Sequence, residues 1–213
     1  MKIAVIAANG RSGKAFAEAA LRAGHEVQAG IHNNNTLKPA LGLNFLDCDA
    51  TIELDVIRLI QRQDAVVSFI GHVRDSPPDV QTKATKVIVS AMHRTKKKRF
   101  VSLTGTGVRF PKDKVTLLDR LLNFCISIID PDRVSDGANH ARVLMDSDLD
   151  WTIIRVLKLR NGKTKKFTLN PVGPTKLFVS RDEVACAVLE VLERHTFVKN
   201  APIIAKAIKN NSS

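Results

Sequence analysis

The chain contains no tyrosine, one tryptophan and three cysteines, and no apolar run in its 213 residues is long enough to cross a bilayer. Each shortage closes a class of function. Cys48, Cys125 and Cys186 lie far apart, without the paired spacing of a disulfide framework or a structural metal site, so a reducing compartment is expected and a metal centre is not. The apolar start, Ile3 to Ala8, is too short for a secretory signal and meets glycine without a small-residue cleavage site, which makes the cytoplasm the expected location. No repeat or low-complexity linker divides the chain, so residues 1–209 are expected to form one domain, with Asn210 to Ser213 as a frayed tail.

Charge is abundant and one-sided, at a formal +12. The densest cluster, Lys96-Lys97-Lys98-Arg99, sits where a helix should end before a strand, a place where the helix dipole favours cations. With stacking aromatics so scarce, nucleic acid is not the expected partner. A diffuse positive field would still draw in a phosphate-bearing ligand.

What is present begins at the N-terminus. Ile3 to Ala8 ends in Asn9-Gly10-Arg11-Ser12-Gly13-Lys14 and passes into alanine-rich sequence, the pattern of a strand, a glycine turn and a helix start. Gly10 admits backbone angles and a close ligand approach, and Gly13 lets the helix lie near the strand. The freed amides and the helix N-terminus then face an anion. Lys14 is no Walker lysine, because only Arg11 and Ser12 stand between the glycines, where a phosphate loop needs four residues. The dinucleotide fingerprint would have glycine where Ala8 stands, and a variant spacing would have it where Ala7 stands.

Strand and helix patterns then alternate. Val27 to Ile31 and Asn44 to Asp47 read as strands, Leu54, Ile57 and Ile60 as a helical stripe, and Asp64 to Gly71 as a continuous apolar strand. Val80, Ala84, Val87, Ile88 and Ala91 mark a longer helix, Arg99 to Leu103 the next strand, and Trp151 to Ile154 a sixth. Between them, Leu117 to Ile129 is an apolar, helical segment that could wall a flat acceptor, and Pro131 to Ser147 is another helical segment. Lys166 to Leu169 suggests a hairpin or edge strand, Ser180-Arg181-Asp182-Glu183 is a capping box opening a helix, and a last strand runs through Ile203 and Ile204. The expected fold is α/β, a Rossmann-type doubly wound parallel sheet with helices on both faces and a ligand crevice at the carboxyl ends of the strands.

Four landmarks in order carry a resemblance: Asn9 to Gly13, Asp64 to Val67, Ser147 to Arg155, and Val179 to Ala185. Over about residues 1 to 195 the chain resembles atypical short-chain dehydrogenase/reductases, in the branch that holds flavin reductases similar to biliverdin reductase B and the NmrA-like NAD(P)-binding proteins. The resemblance implies a bound nicotinamide dinucleotide and either a small aromatic acceptor, flavin-like or quinone-like, or a protein partner in a non-catalytic sensor. Ala7 replaces the first family glycine, Asp148 the glycine after Ser147, and Val156 the proline after Arg155. Tyrosine-dependent short-chain dehydrogenases protonate a carbonyl with a tyrosine followed four residues on by lysine, a mechanism this chain cannot use.

Cofactor contacts are therefore expected from Gly10, Arg11, Ser12 and Gly13 in the turn, and from His32 and Asn33 at the end of the second strand. No acid follows that strand in Ile31-His32-Asn33-Asn34-Asn35, so NADP is favoured over NAD, with His32 and Arg11 as the cations for its 2′-phosphate. Asp49 matches the family acid that contacts the adenine amine, or else caps the helix ahead of Ile52 to Ile60; Ala50 stands beside it. Gly71 and His72 follow the fourth strand, where the chain passes near the dinucleotide. On the substrate side, mainly within 104–180, Thr104, Gly105 and Thr106 and Val156 to Lys158 are candidate wall residues. Lys158 is read either as a stabiliser of developing negative charge or as an exposed loop lysine, and His140 either as a proton donor or as a surface histidine. Ser102 is read as a small core residue.

Overall fold

Six segments become parallel strands, and the central ones are buried along nearly their whole length because helices cover both faces. These are β1 (Lys2–Ile6), β2 (Glu26–Ile31), β3 (Leu43–Asp47), β4 (Ala65–Ser68), β5 (Arg99–Gly105) and β6 (Asp150–Val156). In the computed structural model, which describes residues 1–73, 75–110, 113, 124, 128–172 and 176–206, with the backbone alone at Lys206, they lie in the order β3-β2-β1-β4-β5-β6. β10 (Ile203–Lys206) continues the sheet in parallel beside β6, and β8 (Phe167–Asn170) closes it antiparallel. β7 (Lys158–Arg160) and β9 (Phe178–Ser180) pair in parallel as a separate small sheet. Strand order reverses between β1 and β4, the switch point at which a doubly wound sheet opens a crevice.

Among the described residues, α1 (Arg11–Arg22) and α5 (Arg181–Glu193) pack side by side on one face, joining Phe16, Ala17 and Ala20 to Val184, Val188 and Val191. The other face carries α2 (Glu53–Ile60), α3 (Val80–Arg94) and α4 (Pro131–Met145), with Val56, Leu59, Ile88, Met92 and Leu144 in one cluster. This is a single-domain Rossmann-like α/β fold, as the alternation of patterns predicts. Most of the apolar segment Leu117 to Ile129, with Cys125, lies outside the described residues, as does the tail Asn210 to Ser213.

Several elements depart from expectation. The α2 stripe is Val56, Leu59 and Ile60, and Leu54 is 64% exposed. Gly30 of β2 sets that phase, since a Cβ there would lie 2.8 Å from Leu59 Cδ2; the missing side chain makes the hole that Leu59 fills. Of the two readings of the 166–169 segment, the edge strand is the one that forms, as β8 against β10. Arg99 does not belong to a solvated cluster. Buried at the start of β5, it donates to the carbonyls of Asp150, Val191 and Thr196 and to Thr152 Oγ1, and burial lowers its pKa to about 10. Lys96 and Lys98 remain exposed, and Lys98 pairs with Asp148.

The capping box forms as read: Ser180 Oγ accepts from Glu183 N at 3.0 Å, and Glu183 Oε2 accepts from Ser180 N at 3.0 Å. The other Glu183 oxygen receives Lys176 Nζ and Lys165 N, so α5's first turn also anchors the loops on either side of β8. At the far end of β6, Arg155 is fully buried and holds Asp113 with both terminal nitrogens, at 2.5 and 2.6 Å, while donating to the carbonyls of Ala201, Val108 and Pro171. Arg155→Ala would strip the Asp113 carboxylate of its countercharge, leaving it only the Phe110 N–H as a donor among the described residues, and should lower unfolding free energy by about 3–5 kcal/mol in urea titrations. An unchanged urea midpoint would show that this hub is dispensable.

Candidate functional site

The strand-to-helix turn is set by crowding. A Cβ on Gly13 would lie 2.4 Å from Ala7 O, 2.8 Å from Ala8 Cα and 2.9 Å from Ala8 O, all backbone atoms that cannot swing aside. Gly10 is less confined, its nearest neighbour being Ala7 O at 3.3 Å. Ala7, where the family pattern has glycine, sits at φ +58°, in the left-handed region that disfavours a side chain. No side chain caps α1, so the amides of Arg11, Ser12 and Gly13 meet no capping side chain of the protein's own.

Asn9 latches the neighbouring loop. Its Nδ2 donates to His32 O at 2.8 Å and to Asn34 O at 2.9 Å, and its carbonyl accepts from Thr36 Oγ1. The loop after β2 thus docks on the glycine turn, with Asn33 at φ +63°. Beside it a recess of about 350 Å³ is lined by Ile31, His32, Asn33, Asp47, Cys48, Asp49 and Asp55. His32, Asn33 and Asp49 come together there, while Ala50 is half-buried and packs on the core beneath. Asp49 does not cap α2, whose N-cap is Ile52; its Oδ1 accepts from Thr51 N and Thr51 Oγ1, and these bonds hold its carboxyl below the usual range. Burial, with Asp55 and Asp49 nearby, pushes the Cys48 thiol up to about 12, so it is not a nucleophile. Asp47 is new to the site. It pairs in register with Ile31, so an acid stands beside the end of β2 in space although none follows it in sequence.

Across the switch point the sequence candidates divide. Gly71 is exposed, with open space where a Cβ would be. His72 turns inward, its Nε2 2.8 Å from Asp136 Oδ2. Asp136, buried on α4, also accepts from Gln81 N, Thr82 N and Thr82 Oγ1, so it caps α3 from a different helix. Thr104 is buried behind the crevice, with Oγ1 so near Gly137 that a Cβ there would lie 2.7 Å from it. His140 is neither at the surface nor in the crevice. It is 1% exposed, between Thr85 Oγ1 at 2.7 Å and Ser102 Oγ at 3.0 Å, and burial lowers its pKa to about 4 against a weaker pull from Asp136. Ser102 is a core residue, as read.

Further along the crevice is a cavity of about 700 Å³ walled by Gly105 to Val108 after β5, Leu157 and Lys158 after β6, Leu177 and Phe178 at β9, and Ile129, Asp130, Arg133 and Val134 at the start of α4. Lys158 belongs to β7, exposed, with Nζ 5.7 Å from the Phe178 ring centre. Phe178, Leu177 and Arg133 gave no local signal, because they reach the cavity only through a three-residue strand and a helix terminus. Arg11 and His32 each act on a different neighbour. His32 lies close enough to Asp49 to help lower its pKa, whereas Arg11 acts on Arg181, at the start of α5.

A family model described as NAD(P)H-binding matches residues 7–195. YwnB of Bacillus subtilis (strain 168), an uncharacterized protein, is 26% identical over 206 residues, covering 91% of this chain and 92% of that protein. A short-chain dehydrogenase/reductase from Veillonella parvula, solved in complex with NADP, superposes with a TM-score of 0.80 at 16% identity, covering 96% and 94% of the two chains. A Streptococcus pneumoniae TIGR4 protein provisionally named an NADH-flavin reductase gives a TM-score of 0.77 at 22% identity, covering 97% and 100%.

The turn and the buried histidine make separate predictions. Gly13→Val should abolish dinucleotide binding by calorimetric titration, whereas Ala7→Gly, relieving a left-handed alanine, should raise stability by about 1 kcal/mol in denaturant. Normal binding by a folded Gly13→Val protein would refute the role given to the turn. His140 has a folded pKa near 4 against an ordinary 6.5, so the unfolded chain takes up its proton first as pH falls. Stability from this site is complete above about pH 6.5 and is lost towards pH 4, and His140→Gln should flatten that part of the urea-midpoint profile. A slope retained in the variant would assign it to other groups.

Proposed function

Because the chain belongs to the NAD(P)H-binding family, we propose that it is a reductase passing hydride to a flat conjugated acceptor, flavin-like or quinone-like, held in the cavity beyond β5 and β6. The observation that carries this reading is the order of sites along the carboxyl edge of the sheet. The polar recess stands at the ends of β3 and β2, the glycine turn at β1, and the apolar cavity past β5 and β6. A dinucleotide whose diphosphate meets the turn and whose adenosine enters the recess would direct its nicotinamide towards the cavity.

The residues fit such a cofactor. The space at Gly13 is closed to any side chain, the first-turn amides of α1 lack a side-chain acceptor, and the recess offers Asp47 and Asp49 to hydroxyl and amine groups. When bound, the nicotinamide dinucleotide supplies the hydride. The protein's own part is orientation and exclusion of water: Val108, Val134, Leu157, Leu177 and Phe178 form apolar walls on which a flat ring can lie. Lys158 at the wall stabilises negative charge developing on the acceptor, and water delivers the proton. His140 takes no part, being buried and neutral.

We further propose NADP as the preferred cofactor, with His32 as the cation for the 2′-phosphate and Asp47 opposing it. The preference is therefore modest, lowered by His32→Ala and raised by Asp47→Asn.

The test follows NADPH absorbance with FMN, riboflavin, quinones and simple ketones. A flavin or quinone should be reduced, unactivated ketones should not, and Lys158→Ala should slow turnover by about tenfold without abolishing it, the scale of one charge-assisted hydrogen bond. If NADPH binds at about micromolar strength and no acceptor is consumed, a dinucleotide-sensing protein that docks on a partner replaces this reading.

A further inference from the structure

Building on the dinucleotide reading, we propose that Arg11 and Arg181 form a two-guanidinium clamp for the cofactor's bridging diphosphate, with Arg181 reaching the glycine turn from α5. Arg11 is the first residue of α1 and Arg181 the first residue of α5. The two helices pack side by side, and both begin at the carboxyl edge of the sheet, α1 after β1 and α5 after β9, which runs parallel to the chain leaving β6. Their positive ends therefore open on the same edge.

Nothing among the described residues neutralises this pair. Arg11 is exposed and forms no ion pair. Arg181 donates one terminal nitrogen to Asn161 Oδ1 at 2.7 Å, while its Nε is buried without a hydrogen-bond partner. Burial lowers the Arg181 pKa, and the charge that adds to the effect is Arg11. Acids are at hand but engaged elsewhere or turned away: Glu183 is committed to Ser180, Lys165 and Lys176, and exposed Asp182 bonds to neither guanidinium. Two like charges at neighbouring helix starts without a carboxylate favour an anion, and a diphosphate would bring one negative charge per phosphoryl group to planar donors suited to it. Asn161 also roots the exposed loop 161–166, whose Lys163, Lys165 and Lys166 extend the positive field at the same edge.

The clamp separates two tasks. His32, near Asp49, would sense the 2′-phosphate, whereas the arginine pair would sense what NADPH and NADH share.

The test is calorimetric titration of wild type, Arg181→Gln and Arg11→Gln with NADPH and with NADH. Arg181→Gln should weaken both by about ten- to hundredfold, the scale of a lost charge-assisted hydrogen bond, leaving their ratio unchanged. Arg11 is exposed, so Arg11→Gln keeps the test open should Arg181→Gln fail to fold, and it should show the same parallel loss. Wild-type affinity in the folded variants overturns the clamp alone, as does a loss confined to NADPH, which would move the pair to the 2′-phosphate. A wild-type protein that binds neither dinucleotide overturns the cofactor reading and the clamp with it.

Discussion

The closeness of Gly13 to the backbone of Ala7 and Ala8 is the constraint on which the site depends. Because no side chain stands between them, α1 starts directly against the end of β1 and carries its uncapped amides to the switch point of the sheet. The same position brings Phe16, Ala17 and Ala20 onto the α5 face, where small residues let the helices approach. Helix packing, not local sequence, is then what brings the starts of α1 and α5, with Arg11 and Arg181, to one edge of the sheet. A strained Ala7 persists at the turn because the strand behind it and the helix ahead of it over-determine its conformation.

α4 is the bracket of the other half. Asp136 caps α3 and holds His72, Gly137 gives Thr104 room to approach, and His140 bridges Thr85 and Ser102. Burial pushes the Asp136 carboxyl up, but the hydrogen bonds from Thr82, Gln81 and His72 outweigh it and keep the group ionised. Polar residues that would be candidates for proton transfer are thus spent on fastening helices together. The reductase proposed above would then rely in the adjoining cavity on orientation and on the cations at its rim, as an acceptor that needs no strong acid allows.

What could be read from sequence was local. The parallel strands follow from continuous apolar runs, the glycine turn from its spacing, and the capping box from two partners three residues apart. What could not be read depends on partners far along the chain. Leu59 faces inward because Gly30 leaves a hole for it, and Leu54 is left outside. Arg99 is buried because carbonyls of α5 and the turn after it meet its guanidinium, which its basic neighbours conceal in a sequence. β7 and β9, three residues each, are too short for any periodicity. The recess was half legible: His32, Asn33 and Asp49 stood out by position, but Asp47 enters only through the register of β3 on β2.

That register also changes how the charge of +12 bears on the ligand. Arg99 and Arg155 are interior fasteners, and Lys98 and Arg94 are paired with Asp148 and Glu53, so none of these is available to a polyanion. The edge that faces the ligand is graded instead, with Asp47, Asp49 and Asp55 at the recess and Arg11, Arg181 and the lysines of loop 161–166 beyond the turn. The proposed dinucleotide would lie along that gradient in one direction, its adenosine presenting donors to the acidic end and its diphosphate meeting the basic end. A 2′-phosphate would add negative charge at the acidic end, where Asp55 is already engaged by Arg58 and His32 is the imidazole on the recess wall. On the proposed reading, cofactor choice would reduce to the balance of one imidazole against Asp47, while overall affinity would be carried by groups that both dinucleotides meet alike.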